Sequence, residues 1–273
     1  FPYTTLFRSS IPFLEVLKGL FGFETEQAVQ KTIIWQLRMP RTLAAILAGA
    51  ALSVSGLLMQ TFFRNPIAGP FVLGISSGAG LGAAIWIMGS SLLIQWGLIG
   101  AASIYGSWAL VLAACMGAAL VLVLLLIVSQ RMPDVNTLLI LGLMLGSAVS
   151  ALVMILQFFS GKQELQRFIL WSMGDLGSLT WQELSILSPI ILTALILAIF
   201  LAQPLNAMLL GENYARSLGV SVHSLRRKII IITAILAGSI TAFCGPIAFV
   251  GIAVPHVARL LWSTQRHQTL IIG

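Results

Sequence analysis

The stretch RTLAAILAGAALSVSGLLMQTFFRNP, residues 41–66, places an uncharged and mostly apolar run between Arg41 and Arg64. A helix needs about 20 apolar residues to cross the hydrocarbon core of a bilayer. The stretch therefore predicts a membrane span over residues 42–62. The turn after it is marked by Asn65 and Pro66, because proline cannot continue a helix in the normal way.

Part of this first span recurs later in the chain. Residues 45–49, AILAG, reappear as residues 234–238, and two further residues match at the same offset of 189: Gly56 with Gly245 and Pro66 with Pro255. The two copies lie five predicted spans apart, an odd number, so they should point in opposite directions. Inverted repeats of this kind are typical of transporters.

Composition extends this interpretation to the whole chain. Of the 273 residues 58% are hydrophobic and only 8% are charged, and mean hydropathy is +1.00, far from the usage of soluble domains. The sequence therefore predicts an all-α, polytopic membrane bundle. The predicted spans are 42–62, 71–89, 106–128, 136–159, 185–203 and 229–250, with another beginning near 268.

The segments between the spans have different characters. Residues 90–105 are broken by polar and glycine residues, and we expect a mostly extramembrane connection. Residues 10–37 mix charged and apolar positions, as an amphipathic surface segment does. Residues 162–183 hold aromatic residues amid charge, which predicts a short helix at an interface. The connection 203–228 is the longest polar one.

The opening residues 1–9, FPYTTLFRS, resemble the translation of a sequencing-adapter oligonucleotide. We therefore expect residues 1–9 to be non-native and residues 10–273 to form a single transmembrane domain that is truncated at both ends. An ordinary amphiphilic start of the chain is the alternative.

Small residues predict close packing between spans. Gly74, Gly78 and Gly82 share one helix face, and Gly142, Gly146 and Ser150 share another, so neighbouring backbones can approach. Cys115 and Cys244 lie inside apolar runs and are interpreted as small apolar side chains at helix contacts.

The net charge of +7 does not indicate nucleic-acid binding, because the basic residues sit in short connections rather than in a stripe. Cytoplasmic loops of membrane proteins usually carry an excess of Lys and Arg, but this rule does not decide the orientation here. If the 203–228 connection is cytoplasmic, six basic residues fall inside and seven outside. The six are Arg64, Arg131, Arg216, Arg226, Arg227 and Lys228; the seven are Lys31, Arg38, Arg41, Lys162, Arg167, Arg259 and Arg266.

Catalytic chemistry is not indicated. The only Gly-Lys pair, Gly161-Lys162, is followed by Gln163, so the chain holds no phosphate-binding loop and should not hydrolyse nucleotide itself. His223, His256 and His267 are scattered at span ends without carboxylates at ligand spacing, so neither a metal nor a cofactor is expected.

Four segments carry a family resemblance when taken in order. They are RMPR at 38–41, RNPIAGP at 64–70 with Leu73-Gly74, LGV at 218–220, and GPIAFVG at 245–251 running to PHVAR at 255–259. Together they resemble the permeases of the ABC importers for iron-siderophores, haem and vitamin B12. The resemblance covers nearly all of residues 35–273.

The resemblance implies a fold, an orientation and partners. It implies ten spans with an inverted repeat, of which about six to seven are present here, in a bacterial cytoplasmic membrane. Arg38, Arg41, Trp171 and His256 would lie outside, and the 64–70, 131–137 and 204–228 turns inside. The expected partners are ABC ATPase subunits, a periplasmic or lipid-anchored substrate-binding protein, a second permease copy in a homodimer or heterodimer, and membrane lipid.

Residue roles follow in part from this resemblance. Arg38 and Arg41, three apart at a helix start, would form a cationic patch that pairs with carboxylates of the binding protein; contact with lipid phosphate is the alternative. The segments around Asn65-Pro66 and Pro133-Asp134 resemble those that close the inner mouth, although plain loops are an alternative. The ATPase-coupling element is predicted to include Glu212, Arg216, Leu218, Gly219 and Val220. Gly211 and Gly219 bracket a polar segment of helix length, and glycine permits a tight corner. Glu212 and Arg216 are four apart on one face, where they can pair or reach a partner.

Two other classes of transporter were weighed. A proton-coupled secondary transporter usually holds an ionisable residue inside a span, and the predicted spans contain none. A zinc or manganese ABC permease is the nearest alternative among importers, and the 64–73 and 245–259 segments favour the iron and cobalamin group over it.

Overall fold

The computed structural model describes residues 32–95, 107–130 and 135–272. In these ranges the chain is helical, with turns between the helices and no strand. After a π-helical turn, Ile33–Arg38, the helices are α1 Met39–Phe62, α2 Ile75–Gln95, α3 Ser107–Ser129, α4 Val135–Phe159, α5 Lys162–Ser172, α6 Trp181–Phe200, α7 Ala202–Leu209, α8 Glu212–Ser217, α9 Val222–Cys244, α10 Val250–Trp262 and α11 His267–Ile272.

Five described helical segments are long and apolar enough to cross a membrane, which confirms the polytopic all-α prediction. They are Ile33–Phe62, Trp108–Ser129, Asn136–Phe159, Trp181–Phe200 and Val222–Cys244. The segments Ile75–Gly89 and Val250–Trp262 are apolar but shorter. This is therefore a multi-pass membrane protein.

Several predicted boundaries move. The π-helical turn extends the first helical segment back to Ile33, so Arg38 and Arg41 do not stand at its start as predicted. Before α2, the predicted span 71–89 opens with a 3₁₀ turn, Pro70–Leu73. The helix α2 then continues to Gln95, so the first residues of the predicted 90–105 connection are helical. Residues 96–106, like most of the predicted surface segment 10–37, lie outside the described residues.

The predicted short helix in residues 162–183 is confirmed as α5. A turn then leads into α6, whose first turn is stabilised by a capping box. Thr180 accepts a hydrogen bond from the Glu183 backbone N–H, and the Glu183 carboxylate accepts one from the Thr180 N–H. Two backbone donors that a helix start leaves unpaired are satisfied in this way.

The two helices that carry the repeated sequence, α1 and α9, pack against each other in opposite directions. At one end the Arg41 guanidinium lies against Gly177, and the Asp175 N–H donates to the Cys244 carbonyl over 2.7 Å. At the other end Phe62 and Arg226 line the same cleft. The start of α1 thus lies near the end of α9, as the inverted repeat predicts.

Glycines bring the neighbouring helices together. A Cβ atom added to Gly78 or Gly82 of α2 would collide with the backbone carbonyl of Gly117 or Ala113 in α3. One added to Gly74 would lie 3.1 Å from the Gly142 carbonyl in α4. Lipid chains are as apolar as these side chains, so close van der Waals contact is the main source of helix association here.

The placement of α10 corrects one expectation. His256 was expected at the outer end, but α10 packs along the last two turns of α1, on the way to the Asn65 turn. A Cβ on Gly56 would collide with the Gly251 carbonyl, and Arg259 donates to Gln60 over 2.7 Å. The absence of side chains at Gly56 and Gly251 allows this close approach. The helix α10 therefore runs back toward the end of the bundle that holds Asn65. We call this end the inner end.

This correction also bears on the orientation. Arg259 and Arg266 now lie at the inner end, so among the basic residues that the structure describes seven lie at this end and four at the other. Cytoplasmic loops are enriched in Lys and Arg. The balance of basic residues therefore favours a cytoplasmic position of the inner end, which is the orientation that the resemblance implied.

Candidate coupling and gating site

Residues 202–220, which we call the coupling segment, fold as two short helices at the inner end. Gly211 and Gly219 flank α8 with φ angles of 116° and 82°. Such positive φ values are strained for any residue with a side chain, which explains glycine at both corners. The predicted helix bracketed by two glycines is thus present.

Glu212 at the start of α8 holds two cations. Its Oε1 accepts a hydrogen bond from Arg226 Nη2 over 2.6 Å, and its Oε2 lies 3.7 Å from Arg216 Nη2. The pairing of Glu212 with Arg216 was predicted from their spacing. The shorter bond to Arg226 was not predicted, and it joins α8 to α9.

The coupling segment has a buried side and an exposed side. Ala215 is fully buried, and Val220 packs against the core. Leu218 is 60% exposed and the Arg216 side chain 63% exposed. An apolar residue so exposed beyond the bundle is suited to contact with a partner protein.

A cleft of about 680 Å³ separates the coupling segment from the turn after α1. Residues of both the turn and the coupling segment line this cleft. The full lining is Phe62, Phe63, Arg64, Asn136, Leu210, Gly211, Glu212, Asn213, Tyr214 and Arg226. The structure thus brings one predicted gate turn next to the predicted coupling helix.

The turn Phe63–Ala68 is well defined by hydrogen bonds. The Asn65 side-chain oxygen accepts from the Ile67 N–H over 3.0 Å, and the Asn65 carbonyl accepts from the Ala68 N–H over 3.1 Å. Arg64 has a φ of 48°, uncommon for a non-glycine residue. Pro66 is exposed. The other predicted gate residues, Pro133 and Asp134, lie outside the described residues.

Arg38 and Arg41 are exposed at the opposite end of α1. The Arg41 guanidinium lies against the backbone of Gly177, in the turn before α6, and the Trp181 indole N–H donates to the Trp35 carbonyl over 2.8 Å. These contacts hold the backbone that carries both arginines against that turn.

A group of buried polar residues was missed by the sequence reasoning. Gln60, Thr61 and His267 are 3%, 5% and 1% exposed and take part in hydrogen bonds between helices. The sequence could have indicated Gln60 and Thr61, because these two polar residues interrupt an otherwise apolar span. Among the described residues no group of His, Cys, Asp or Glu could hold a metal ion.

A membrane bundle with an inverted repeat and a polar helical segment at its inner end is the architecture of a transport permease. A sequence model of the FecCD transport family matches residues 3–273, and the chain belongs to this family.

The vitamin B12 import system permease protein BtuC of Salmonella newport is 39% identical over 240 residues, which cover 88% of this chain and 70% of that protein. Its counterpart in Salmonella paratyphi A is 38% identical over the same shares. A solved structure described as an inward-facing conformation of a metal-chelate type ABC transporter covers 94% of this chain and 82% of its own, with a TM-score of 0.79 and 28% identity. The chain is therefore an ABC importer permease.

Proposed function

We propose that this chain is the subunit through which an ABC importer passes a metal chelate of the iron-siderophore, haem or cobalamin class across the bacterial cytoplasmic membrane. It works as a homodimer or a related heterodimer. ATPase subunits bind at the coupling segment, and a substrate-binding protein docks at Arg38 and Arg41.

The observation that carries this proposal is the position of α8. It lies between two positive-φ glycines at the inner end, is tied to α9 through Glu212, and borders the cleft next to the turn Phe63–Ala68. The sequence holds no phosphate-binding loop, so energy must enter by contact with another subunit. A helix seated in a partner's groove transmits rigid-body movement, as a loose loop does not.

The same cleft supports a role in gating. Movement of α8 changes the width of the cleft, and the other wall of the cleft includes Arg64, next to Asn65 and Pro66. We assign closure of the inner mouth to Asn65 and Pro66 together with Pro133 and Asp134. Proline fixes the backbone of each turn, which keeps its position well defined.

The substrate class rests on the relatives. The two Salmonella relatives described above are named as vitamin B12 import permeases, and the solved structure is described as a metal-chelate type ABC transporter. Such ligands are large and chemically diverse, and we assign their selection to the binding protein.

The test is uptake by bacteria that lack their own permeases of this kind. The permease is expressed from its completed gene together with the ATPase and binding protein encoded beside it. The cells are then offered labelled cobalamin, ferric siderophores, haem, Zn²⁺ and Mn²⁺. The proposal expects uptake of one chelate and of neither bare ion. Uptake of Zn²⁺ or Mn²⁺ alone would instead identify the chain as a permease for those ions.

A further inference from the structure

The turn Phe63–Ala68 is attached to two residues of α1. The Asn65 N–H donates to the Gln60 carbonyl over 3.0 Å, and the Arg64 N–H donates to the Thr61 carbonyl over 3.2 Å. The position of the turn therefore depends on where Gln60 and Thr61 are held.

The Gln60 side chain is held by α10. Its Oε1 accepts from Arg259 Nη1 over 2.7 Å, and its Nε2 donates to the Ile252 carbonyl over 3.2 Å. One buried amide thus contacts α10 near both of its ends.

The Thr61 side chain is held by His267, which is 1% exposed. Asn206 Oδ1 receives the backbone N–H of His267 over 3.0 Å and lies 2.7 Å from the ring Nδ1. An atom that accepts from a backbone N–H is an acceptor, so Nδ1 carries the ring proton. In a neutral ring Nε2 is then the acceptor. The single proton of the Thr61 hydroxyl goes to this nitrogen, 2.7 Å away, rather than to the Leu57 carbonyl, 3.0 Å away.

Asn206 belongs to α7, in the coupling segment, and only Leu210 and Gly211 separate α7 from α8. His267 thus bonds to the coupling segment through its backbone N–H and its ring Nδ1, and to Thr61, which holds the turn, through Nε2. At the inner end the contact with Thr61 is buried and the contacts with Asn206 are partly buried. Loss of a partner there leaves a polar group with little water to replace it.

We propose that His267 is a positioning residue that links movement of the coupling segment to the turn Phe63–Ala68 through Asn206 and Thr61. This inference rests on the proposed function. When an ATPase displaces α7 and α8, the hydrogen bonds of His267 to Asn206 and to Thr61 carry the displacement to the last turn of α1.

Two conservative substitutions break the same bond from opposite sides. His267→Asn keeps a donor in the place of Nδ1, so the bond to Asn206 is retained while the bond to Thr61 is lost. Thr61→Val keeps the shape of the side chain and removes the hydroxyl. His256→Ala is the matched control, because His256 is an exposed histidine on the neighbouring helix α10.

The measurement is chelate uptake per ATP hydrolysed by the complex of permease, ATPase and binding protein in proteoliposomes. A structural defect alone lowers uptake and hydrolysis in proportion to the amount of complex, whereas a positioning defect lowers their ratio. We expect each single variant to lower the ratio roughly 2- to 30-fold. The double variant should be no worse than the more affected single variant, because both remove one interaction.

Unchanged ratios, or a double variant whose loss is the product of the two single losses, would overturn the role of His267. If the wild-type complex transports normally while the role of His267 is overturned, the proposed function still stands. A wild-type complex that neither takes up chelate nor hydrolyses ATP would instead remove the proposed function.

Discussion

Arg226 near the start of α9 donates a hydrogen bond to Glu212 at the start of α8 over 2.6 Å, and so ties the coupling segment to a helix that is long enough to span the membrane. The side chains of Arg226 and Glu212 are only 14% and 23% exposed. Partial burial strengthens a charged hydrogen bond relative to one at an open surface.

Removal of this link should uncouple transport from ATP hydrolysis. We expect Arg226→Ala to lower chelate uptake about tenfold, within the range for residues that couple two sites, while the ATPase still co-purifies. Arg227→Ala is the control, because Arg227 is the exposed neighbour on the same helix. Equal uptake by the two variants would mean that the link to Glu212 has no part in coupling.

Gly219 tests whether the coupling segment contacts the ATPase. Its φ is 82°, and a Cβ atom there would meet no other atom of the described residues within 4 Å. The turn holds Gly219 at positive φ, and the first atom of an added side chain would point into space that no described residue fills. A collision with a partner subunit is therefore the effect that a large side chain at this position tests.

We expect Gly219→Trp to abolish ATPase co-purification and uptake together while the permease still inserts. Gly219→Asn is the control, because asparagine adopts positive φ at small cost and adds less bulk. If the Trp variant co-purifies its ATPase as the Asn variant does, the segment near Gly219 does not form the contact.

The outer arginines test docking of the binding protein. Reversal of both charges in Arg38→Glu/Arg41→Glu should abolish uptake, because carboxylates of the partner would then be repelled. Membrane abundance should stay near normal, since both side chains are exposed. Lys162→Glu, at the same end of the bundle, is the control for charge alone. Uptake at the level of this control would remove the docking role.

The contact between α1 and α10 is tested by two glycines of the same helix. A Cβ on Gly56 would collide with the Gly251 carbonyl, whereas one on Gly49 would meet nothing within 4 Å. We expect Gly56→Ala to destabilise the permease by about 1–3 kcal/mol, as overpacking does. Gly49→Ala should be neutral or slightly stabilising, because alanine favours helix.

Thermal unfolding of the two variants in detergent measures this difference. If Gly56→Ala unfolds at the same temperature as Gly49→Ala, then α10 does not pack on α1 through Gly56.

The helices and their packing could be predicted because the information is local. Long apolar runs fix the spans, and glycine at four-residue spacing fixes contacts such as that of Gly78 with Gly117. The opposite directions of α1 and α9 followed from counting spans between the repeats. Gly211 and Gly219 could likewise be assigned to the corners of a short helix, because few other residues adopt positive φ.

The path of α10 could not be predicted in the same way. Residues 250–262 form a short apolar helix that contains Pro255, and length alone did not distinguish a helix at the outer surface from one that returns to the inner end. The decision rests on long-range contacts, those of Gly56 with Gly251 and of Gln60 with Arg259. The bond between Glu212 and Arg226 is of the same kind, because it joins residues 14 positions apart across a turn.

The most direct test of an ATP-driven import permease is chelate uptake into proteoliposomes. The vesicles hold the permease and its ATPase, with the loaded binding protein outside and ATP inside. We expect cobalamin or a ferric chelate to accumulate with ATP, and to stop doing so with ADP or with the Gly219→Trp permease. Uptake that proceeds equally with ADP, or that follows an imposed proton or sodium gradient instead, would contradict the ABC importer and identify a secondary transporter.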